Sequence, residues 1–377
     1  MTTQPSQAPV LMPIPTIPSP SGTDAATGTG SGTPLPTDAR GLPDRFGRRA
    51  TDLRVSLTDR CNLRCTYCMP AEGLDWLPTP DVLTDDEVVR LVAIAVRDLG
   101  VRTVRFTGGE PLLRRGLEHI IAGTAALRDP DGNKPDIALT TNALGLDKRI
   151  DSLVEAGLDR VNISIDSLDR ERYAAAARRD RLHDALRSLD AVDRVGIRPV
   201  KINAVPIAAS YREDAPELLR FCLERGYQLR FIEYMPIGPR ESWKRGEVVT
   251  AQDLRDALTD AGFTLTQRPG PRGSAPAEVE DVTAPGLPDG SVGLVASVSE
   301  PFCAACTRTR ITADGQVRSC LFATSETDLR GLLRDGADDA ALARRWQEAM
   351  WGKPRAHGFG TDDSFAAPSR TMSAIGG

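Results

Sequence analysis

The sequence is poor in histidine and lacks long apolar runs. Of 377 residues only three are histidine, and no run of 18 or more apolar residues occurs. The first shortage argues against a histidine-rich metal site, and the second argues against a transmembrane helix. Acidic residues (52) outnumber Lys and Arg (47), giving a net charge of −5. This balance argues against a general nucleic-acid or anionic-membrane surface.

The N-terminal part has no aromatic residue. Residues 1 to 45 are rich in Pro, Ser, Thr and Gly, so they cannot bury enough apolar surface to offset their ordering entropy. We therefore predict a disordered extension. A basic n-region is missing, and prolines break the one apolar stretch, VLMPIPTIP. No secretory signal is expected, and a cytoplasmic location is predicted.

Six strand-like runs alternate with helical patterns from Asp52 to Tyr234. The helix predicted over Thr84–Leu99 has a capping box, Thr84 with Glu87. Strands that alternate with helices pair in parallel through right-handed crossovers. Eight units would close a barrel, so six predict an α/β fold: an open, TIM-like (β/α)6 partial barrel with its site at the carboxyl ends of the strands. The predicted strands are Asp52–Leu57, Thr103–Thr107, Asp136–Thr140, Arg160–Ile165, Val200–Val205 and Gln228–Tyr234.

Pro and Gly mark a second boundary. They are concentrated in Arg268–Gly290, which we predict to be a long loop. The barrel is expected to cover residues 46–267, and a smaller α+β region residues 268–377. Within that region Asp314-Gly315 separates two strand-like runs, a hairpin pattern.

Three of the seven cysteines fall within eight residues, in CNLRCTYCMP. Clustered thiols outside a secretory context indicate metal rather than disulfides. A closed zinc site usually takes four ligands, whereas Cys61, Cys65 and Cys68 on one loop suit a [4Fe–4S] cluster with one open iron. A zinc knuckle or buried structural thiols are the alternatives.

A second triad is Cys303-x₂-Cys306-x₁₃-Cys320, with the hairpin turn between its last two members. A zinc-ribbon fragment is an open alternative. A fourth ligand is missing nearby, because Cys222 lies in a predicted helix and nothing positions His357. A second iron–sulfur cluster is therefore favoured.

Basic residues are placed on the predicted strands. Arg308 and Arg310 point to one face of a strand beside the second triad, and two guanidiniums there suit a phosphate-bearing substrate. A solvated edge strand is the other interpretation. Arg54, Arg105 and Lys201 on the barrel strands favour a polyphosphate site.

The first triad resembles the signature of the radical S-adenosylmethionine (SAM) superfamily, C-x₃-C-x₂-C with an aromatic residue, here Tyr67, before the last cysteine. Both triads together resemble the GTP 3′,8-cyclase family of molybdenum-cofactor biosynthesis, from about Phe46 to the end. The stretches that carry this resemblance are TDRCNLRCTYCMP, RFTGGEPLLRR, LTTNA, NISIDSL, KINAV, RFIEYMPIG, FCAACTRTRIT, SCLFAT and the Ile375-Gly376-Gly377 tail.

The resemblance implies a radical SAM lyase that converts GTP to (8S)-3′,8-cyclo-7,8-dihydroguanosine 5′-triphosphate. An adenosyl radical removes hydrogen from ribose C3′, the C3′ radical then bonds to C8 of guanine, and a reduction completes the product. By the family motifs, Cys61, Cys65 and Cys68 hold the SAM cluster, and Cys303, Cys306 and Cys320 hold the cluster facing the substrate. The expected SAM contacts are Tyr67, Gly109, Ser164 and Met235. The expected GTP contacts are Arg54, Arg105, Thr140, Lys201, Arg308 and Arg310, of which Arg308 and Arg310 are also expected to act in catalysis.

The implied partners are an electron donor, a second copy of the chain in a homodimer and, in the pathway, a downstream cyclic pyranopterin monophosphate synthase. One departure from the family pattern is Ala143, where the family usually has glycine. A positive φ there would strain alanine. Two rival hypotheses are a peptide-modifying radical SAM enzyme, which needs no guanidinium pair, and a zinc-stabilised binding module.

Overall fold

All six predicted barrel strands are present and pair in parallel in chain order. The structure is a computed structural model that describes residues 34–238, 243–357, 368 and 370–376. The strands are β1 (Asp52–Ser56), β2 (Thr103–Thr107), β3 (Asp136–Thr141), β4 (Arg160–Ser164), β5 (Val200–Ala204) and β6 (Gln228–Ile232). The parallel partial barrel is therefore confirmed.

Helices pack against the strands, because each helix has one apolar face. The first, α1 (Asp85–Arg97), begins at the predicted capping box, in which Thr84 and Glu87 each bond the other's backbone N–H. Its buried residues recur at helical spacing and pack into one large core. The remaining barrel helices are α2 (Leu117–Ala125), α3 (Ile150–Glu155), α4 (Arg170–Ala177), α5 (Leu182–Val195), α6 (Tyr211–Glu224) and α7 (Ala251–Asp260). Short 3-10 helices occur at Thr79–Asp81, Pro111–Leu113, Leu146–Lys148, Arg245–Glu247 and Cys303–Ala305.

The later strands extend the same sheet at both ends. They are β7 (Thr264–Gln267), β8 (Glu278–Thr283), β9 (Gly290–Val295), β10 (Arg308–Ile311), β11 (Gln316–Arg318) and β12 (Thr327–Asp328). Strand β9 pairs in parallel with β6, and β10 pairs in parallel with β1. In the described residues the sheet has twelve strands, in the order β12-β11-β10-β1-β2-β3-β4-β5-β6-β9-β8-β7. Helices α8 (Arg330–Arg334), α9 (Asp339–Trp351) and α10 (Met372–Ile375) complete the fold.

Two expectations for this region have opposite outcomes. The hairpin is confirmed, since β10 and β11 are antiparallel and Gly315 has a φ of +76° in the turn between them. The long loop over Arg268–Gly290 is wrong, because β8 lies inside it. Its buried Glu280 is paired with Arg255 across 2.6 Å, a distant partner that the surrounding Pro and Gly do not indicate. The domain division at 267/268 separates strands of one sheet and stays a prediction.

The predicted disordered extension is too long. Leu35 and Leu42 are buried, and Gln347 of α9 donates to the carbonyl oxygens of Ala39 and Gly41 at 3.0 Å. Residues 35–45 are therefore folded, and order begins before Phe46. The partner of this segment lies about 300 residues away, so local composition carries no sign of it. Residues 1–33 lie outside the described residues. Among the described helices, none is both long and apolar enough for a membrane crossing.

Candidate active site

The loop that follows β1 carries the first cysteine triad, and the end of α4 holds it. The backbone N–H of Arg64 donates to the carbonyl of Ala177 at 3.1 Å. Arg178 ends α4 in the left-handed region (φ +53°) and donates to the carbonyl of Met69 at 3.0 Å. The end of α4 therefore holds this loop at two points, Arg64 and Met69.

The three thiols of the first triad are half-buried and free. Burial raises the pKa of Cys61 to about 11 and that of Cys68 to about 12, and it raises the pKa of Cys65 well above its usual value. The polar contacts of Cys61 are neutral: Leu63 N at 3.4 Å and Asn142 Nδ2 at 3.8 Å. Thiols in such surroundings bind metal only when the metal's own positive charge displaces their protons.

Tyr67 links this loop to the ends of β4 and β5. Its hydroxyl donates to Asp166 at 2.8 Å, and Asp166 also accepts the N–H of Val205 at 2.9 Å. Burial raises the pKa of Asp166 to about 6. Sequence reasoning missed Asp166, although an acidic residue directly after a strand, in NISID, is a usable signal. Ser164, at the end of β4, pairs with Asn203 of β5.

Two glycines after β2 allow close contact between backbones. A Cβ on Gly109 would lie 2.3 Å from the carbonyl oxygen of Arg60, just before the first cysteine. The adjoining Glu110 is buried, which raises its pKa to about 7. It accepts hydrogen bonds from Thr141 Oγ1 at 2.7 Å and from Asn142 N at 2.8 Å. The GGEP stretch thus aligns the cysteine loop with β3, and the SAM contact of Gly109 stays a prediction.

The second triad surrounds the start of β10. Cys303 is the first residue of a short 3-10 helix, Cys306 follows that helix, and Cys320 follows β11. Burial raises the pKa of Cys303. Burial opposes ionisation of Cys306 as well, but Arg308 Nη2 and Lys353 Nζ, each 3.3 Å from its sulfur, lower its pKa to about 6. The two triads therefore have different electrostatic surroundings.

The donor set of each triad suits an iron–sulfur cluster. All seven cysteines are described and free. Within the described ranges, no three His, Cys, Asp or Glu side chains are arranged to hold a single ion. In a [4Fe–4S] cluster each thiolate binds its own iron, so the three sulfurs need not converge on one point. The chemistry and half-burial of the three thiolates in each loop fit this requirement.

A pocket with about 1040 Å³ of space, part of it open to solvent, lies between the second triad and the strand ends. Three arginines on neighbouring strands face it: Arg54 of β1 is in register with Arg105 of β2 and with Arg310 of β10. Burial lowers the pKa of Arg105 to about 9 and that of Arg310 well below its usual value. Among the residues that the structure describes, no carboxylate forms an ion pair with any of the three, and the Nε of Arg54 and of Arg105 has no hydrogen-bond partner.

The pocket brings together most of the predicted GTP contacts and part of the predicted SAM contacts. It is lined by Arg54, Arg105, Thr140, Met235, Arg308, Arg310, Cys303, Cys306 and Cys320. Tyr67, Gly109, Ser164 and Lys201 are not among its lining residues. Lys201 of β5 pairs with the lining residue Asn162 of β4, and burial and then Arg230 lower its pKa to about 7.

Sequence reasoning missed three polar lining residues, Asn162, Asn203 and Arg230. Each lies on a barrel strand, β4, β5 or β6. Asn162 pairs with Thr140 and Lys201, and Arg230 pairs with Asn203. The alternation of strand side chains, continued from Arg105 across the sheet, would have identified them.

The C-terminal segment reaches the same pocket. Arg310 Nη1 donates to the carbonyl oxygen of Gly376. Ile375 is fully buried in a small cluster with Ile237 and Phe322, and Met235 and Cys320 pack against it. Gly377 lies outside the described residues. The tail that the resemblance marks as functional is therefore placed at the predicted substrate cations.

The strain expected at Ala143 is confirmed. Its φ is +66°, in the left-handed region, and the side chain is fully buried. Thr141 Oγ1 accepts its N–H at 2.9 Å, and Ser188 donates to its carbonyl at 2.7 Å. These bonds hold the left-handed conformation, so the alanine is tolerated at a cost of about 1 kcal/mol.

Comparison with known proteins agrees with this arrangement. The Radical SAM superfamily model matches residues 55–222, and the Molybdenum Cofactor Synthesis C model matches residues 227–359. Among solved structures, SuiB of Streptococcus suis, bound to its precursor peptide SuiA, is similar in fold (TM-score 0.52, 17% identity, 84% of this chain and 68% of that chain).

Curated relatives are much more similar in sequence. A GTP 3′,8-cyclase of Corynebacterium glutamicum is 58% identical over 340 residues, covering 90% of each chain. A GTP 3′,8-cyclase of Mycobacterium marinum is 55% identical over 360 residues, covering 94% of this chain and 98% of the relative. GTP 3′,8-cyclase 2 of Mycobacterium tuberculosis is 57% identical over 337 residues, covering 89% and 92%. The chain therefore belongs to the GTP 3′,8-cyclase family of the radical SAM superfamily.

Proposed function

We propose that this chain is a GTP 3′,8-cyclase, a radical SAM lyase that performs the first step of molybdenum-cofactor biosynthesis. It converts GTP to (8S)-3′,8-cyclo-7,8-dihydroguanosine 5′-triphosphate. The observation that carries the proposal is the row of Arg54, Arg105 and Arg310 on adjacent strands, of which Arg105 and Arg310 are buried and Arg54 is half-buried, all three facing a pocket. Buried cations without counter-ions destabilise a protein unless an anion binds them, and a triphosphate supplies several negative charges.

The first triad is assigned to the SAM cluster. Cys61, Cys65 and Cys68 would hold three irons of a [4Fe–4S] cluster, and Tyr67, Gly109, Ser164 and Met235 would contact SAM. When bound, this pair of cofactors supplies the 5′-deoxyadenosyl radical that removes the hydrogen atom from ribose C3′. The half-buried loop limits access of water to the reacting atoms.

The second triad is assigned to a second [4Fe–4S] cluster, which Cys303, Cys306 and Cys320 would hold and which would bind the guanine of GTP. Support comes from the pocket, which Cys303, Cys306 and Cys320 line together with the basic strand face. Arg54, Arg105, Arg308 and Arg310 would bind phosphate oxygens, and Thr140 and Lys201 would complete the GTP contacts. Binding of the triphosphate to these cations would hold the attached ribose and guanine in one orientation before the radical forms. Arg308 and Arg310 would also act in catalysis.

Three partners are part of the proposal: an external electron donor, a second copy of the chain in a homodimer, and a downstream cyclic pyranopterin monophosphate synthase that consumes the product. The net charge of −5 agrees with a small-molecule substrate rather than nucleic acid.

The experiment is anaerobic incubation of the reconstituted protein with SAM, GTP and dithionite, followed by mass-spectrometric product analysis. We expect 5′-deoxyadenosine and an isomer of GTP in equal amounts. ATP in place of GTP is the control and should give no isomer. Deoxyadenosine without any GTP isomer would instead support another radical SAM reaction, such as peptide modification.

Cluster count is tested with two cysteine variants. Cys320→Ala should halve the iron and acid-labile sulfide per chain and stop cyclisation, while SAM cleavage continues at a reduced rate. Cys222→Ala is the matched control, because Cys222 is buried in α6 and should not change the iron content. Unchanged iron in Cys320→Ala would remove that residue from the ligand set.

A further inference from the structure

Lys353 is a buried cation whose anionic neighbour is a cysteine sulfur. Its side chain is buried, and its Nζ lies 3.3 Å from Cys306 Sγ and 2.7 Å from the carbonyl oxygen of Arg308. In the part of the chain that the structure describes, no carboxylate pairs with it. A buried ammonium without an anion is strongly unfavourable, so its contact with the sulfur calls for negative charge at Cys306.

The backbone around Lys353 is fixed to the second cysteine loop. Lys353 follows the end of α9, and its N–H donates to the carbonyl of Met350 at 3.0 Å. Arg48 donates to the carbonyl oxygens of Pro354 and Cys303, the latter at 2.8 Å. The ammonium therefore has little freedom to move away from the sulfur.

The two triads differ in this respect. Cys306 has two positively charged donors, Lys353 and Arg308, each at 3.3 Å. The hydrogen bonds to the sulfur of Cys61 come from neutral donors, Leu63 N and Asn142 Nδ2, and the charge of Arg64 acts on this thiol without a hydrogen bond to its sulfur among the described contacts. Hydrogen bonds to sulfur and nearby charge are main determinants of the reduction potential of an iron–sulfur cluster, and positive charge favours the reduced, more negative form.

We propose that Lys353 is a positioning residue that donates a charged hydrogen bond to the Cys306 ligand and thereby raises the reduction potential of the second cluster. This inference rests on the proposed function, which assigns Cys306 to that cluster. Lys353 also bonds the backbone of Arg308, so the same side chain connects a cluster ligand to the strand that would bind the substrate phosphates.

The test is a dye-mediated redox titration of the reconstituted full-length protein, followed by electron paramagnetic resonance of the cluster whose signal responds to GTP. Lys353→Met should make that cluster at least tenfold harder to reduce at a given potential, a negative shift of 59 mV or more for one electron. Lys353→Arg, which keeps the charge, should stay near the wild type. The control Lys148→Met removes an exposed lysine and should change nothing.

Lys353→Gln provides a second route if Lys353→Met does not assemble the cluster. Gln keeps a neutral hydrogen-bond donor, so the reduction potential of the second cluster should lie between those of the Met variant and the wild type. It should be below the wild-type value even if the Met variant cannot be measured. Failure of Lys353→Arg to assemble the cluster would overturn the proposal. If the Lys353→Met and Lys353→Gln variants each hold two clusters with wild-type reduction potentials, this inference would be overturned and the proposed function would stand. Iron for a single cluster in the wild type would overturn the proposed second cluster, and this inference with it.

Discussion

Arg310 and Gly376, 66 residues apart, are joined by a hydrogen bond from the guanidinium Nη1 to the glycine carbonyl oxygen. This bond is buried, and Arg310 lines the pocket. The backbone of the C-terminal segment therefore acts as the acceptor that holds one of the three neighbouring arginines in position. Changes in this segment should consequently reach the substrate site.

Gly376→Ala should reduce cyclisation more than tenfold, about 1.4 kcal/mol of transition-state stabilisation. The glycine has a φ of +77°, and a Cβ would lie 2.7 Å from Thr107 Cγ2, so the carbonyl must move from Arg310. The matched control is Gly336→Ala, which has a similar φ of +85° but open space around it. It should lose about 1 kcal/mol of stability and keep its activity. Steady-state kinetics and thermal unfolding measure both, and equal kcat in the two variants would contradict the proposed role.

Arg54→Met should stabilise the ligand-free protein by about 1 kcal/mol, because it removes a half-buried cation that lies between two buried ones, Arg105 and Arg310. It should also weaken GTP binding. Arg318→Met is the contrasting control: Arg318 is more deeply buried and is paired with Glu326, so its loss should destabilise the protein by about 3 kcal/mol. Chemical denaturation and calorimetric titration with GTP test both effects. Destabilisation by Arg54→Met would show that its charge is already neutralised.

Lys201, one of the predicted GTP contacts, should make GTP binding depend on pH near neutrality. Its pKa is lowered to about 7, first by burial and then by Arg230, so it is charged below that pH and neutral above it. The ratio of wild-type to Lys201→Met affinity for GTP should therefore fall, by up to about tenfold, as pH rises from 6 to 8. Both proteins bind the same GTP, so the effect of GTP ionisation on affinity cancels in this ratio.

The same shift has a consequence for stability. Between pH 7 and about 10 the unfolded chain binds more protons at Lys201 than the folded chain, so the free energy of unfolding rises with pH. Lys201→Met should lack this part of the rise, as measured by denaturant unfolding at several pH values. Parallel pH profiles for the two proteins would refute the lowered pKa.

Ala143→Gly should cost less stability than a comparable substitution elsewhere. Ala143 has a left-handed φ, so its replacement by glycine removes about 1 kcal/mol of backbone strain. This gain offsets much of the stability that is lost with the buried methyl group. Ala95→Gly, equally buried but inside α1, has no strain to release and loses helix propensity as well. We expect the free energies of unfolding of the two variants to differ by at least about 1 kcal/mol. Equal losses would mean that the Ala143 backbone is unstrained.

The sequence predicted those features that local chemistry determines. Hydrophobic alternation predicted six barrel strands, the Thr84 capping box predicted the start of α1, and Asp314-Gly315 predicted the hairpin. Ala143 was marked as a position of positive φ because a family pattern has glycine there. The arginines of β1, β2 and β10 were chosen one by one, each from its own strand.

Other features depend on partners distant in the chain, which a single sequence does not reveal. The alignment of Arg54 with both Arg105 and Arg310 requires β10 to pair with β1, across more than 250 residues. Docking of residues 35–45 on α9 spans about 300 residues, and the pairing of Glu280 with Arg255 joins two elements 25 residues apart. Lys353 was missed because a lone lysine after a helix is ordinarily a solvated one.

The pairing of β9 with β6 and of β10 with β1 has a consequence for producing this protein in parts. Residues 46–232 expressed alone would leave one edge of β1 and one edge of β6, each five residues long, without hydrogen-bond partners at the two sides of the half-barrel. Such unprotected borders recruit strands from other molecules, so the excised half-barrel should aggregate where the intact chain does not.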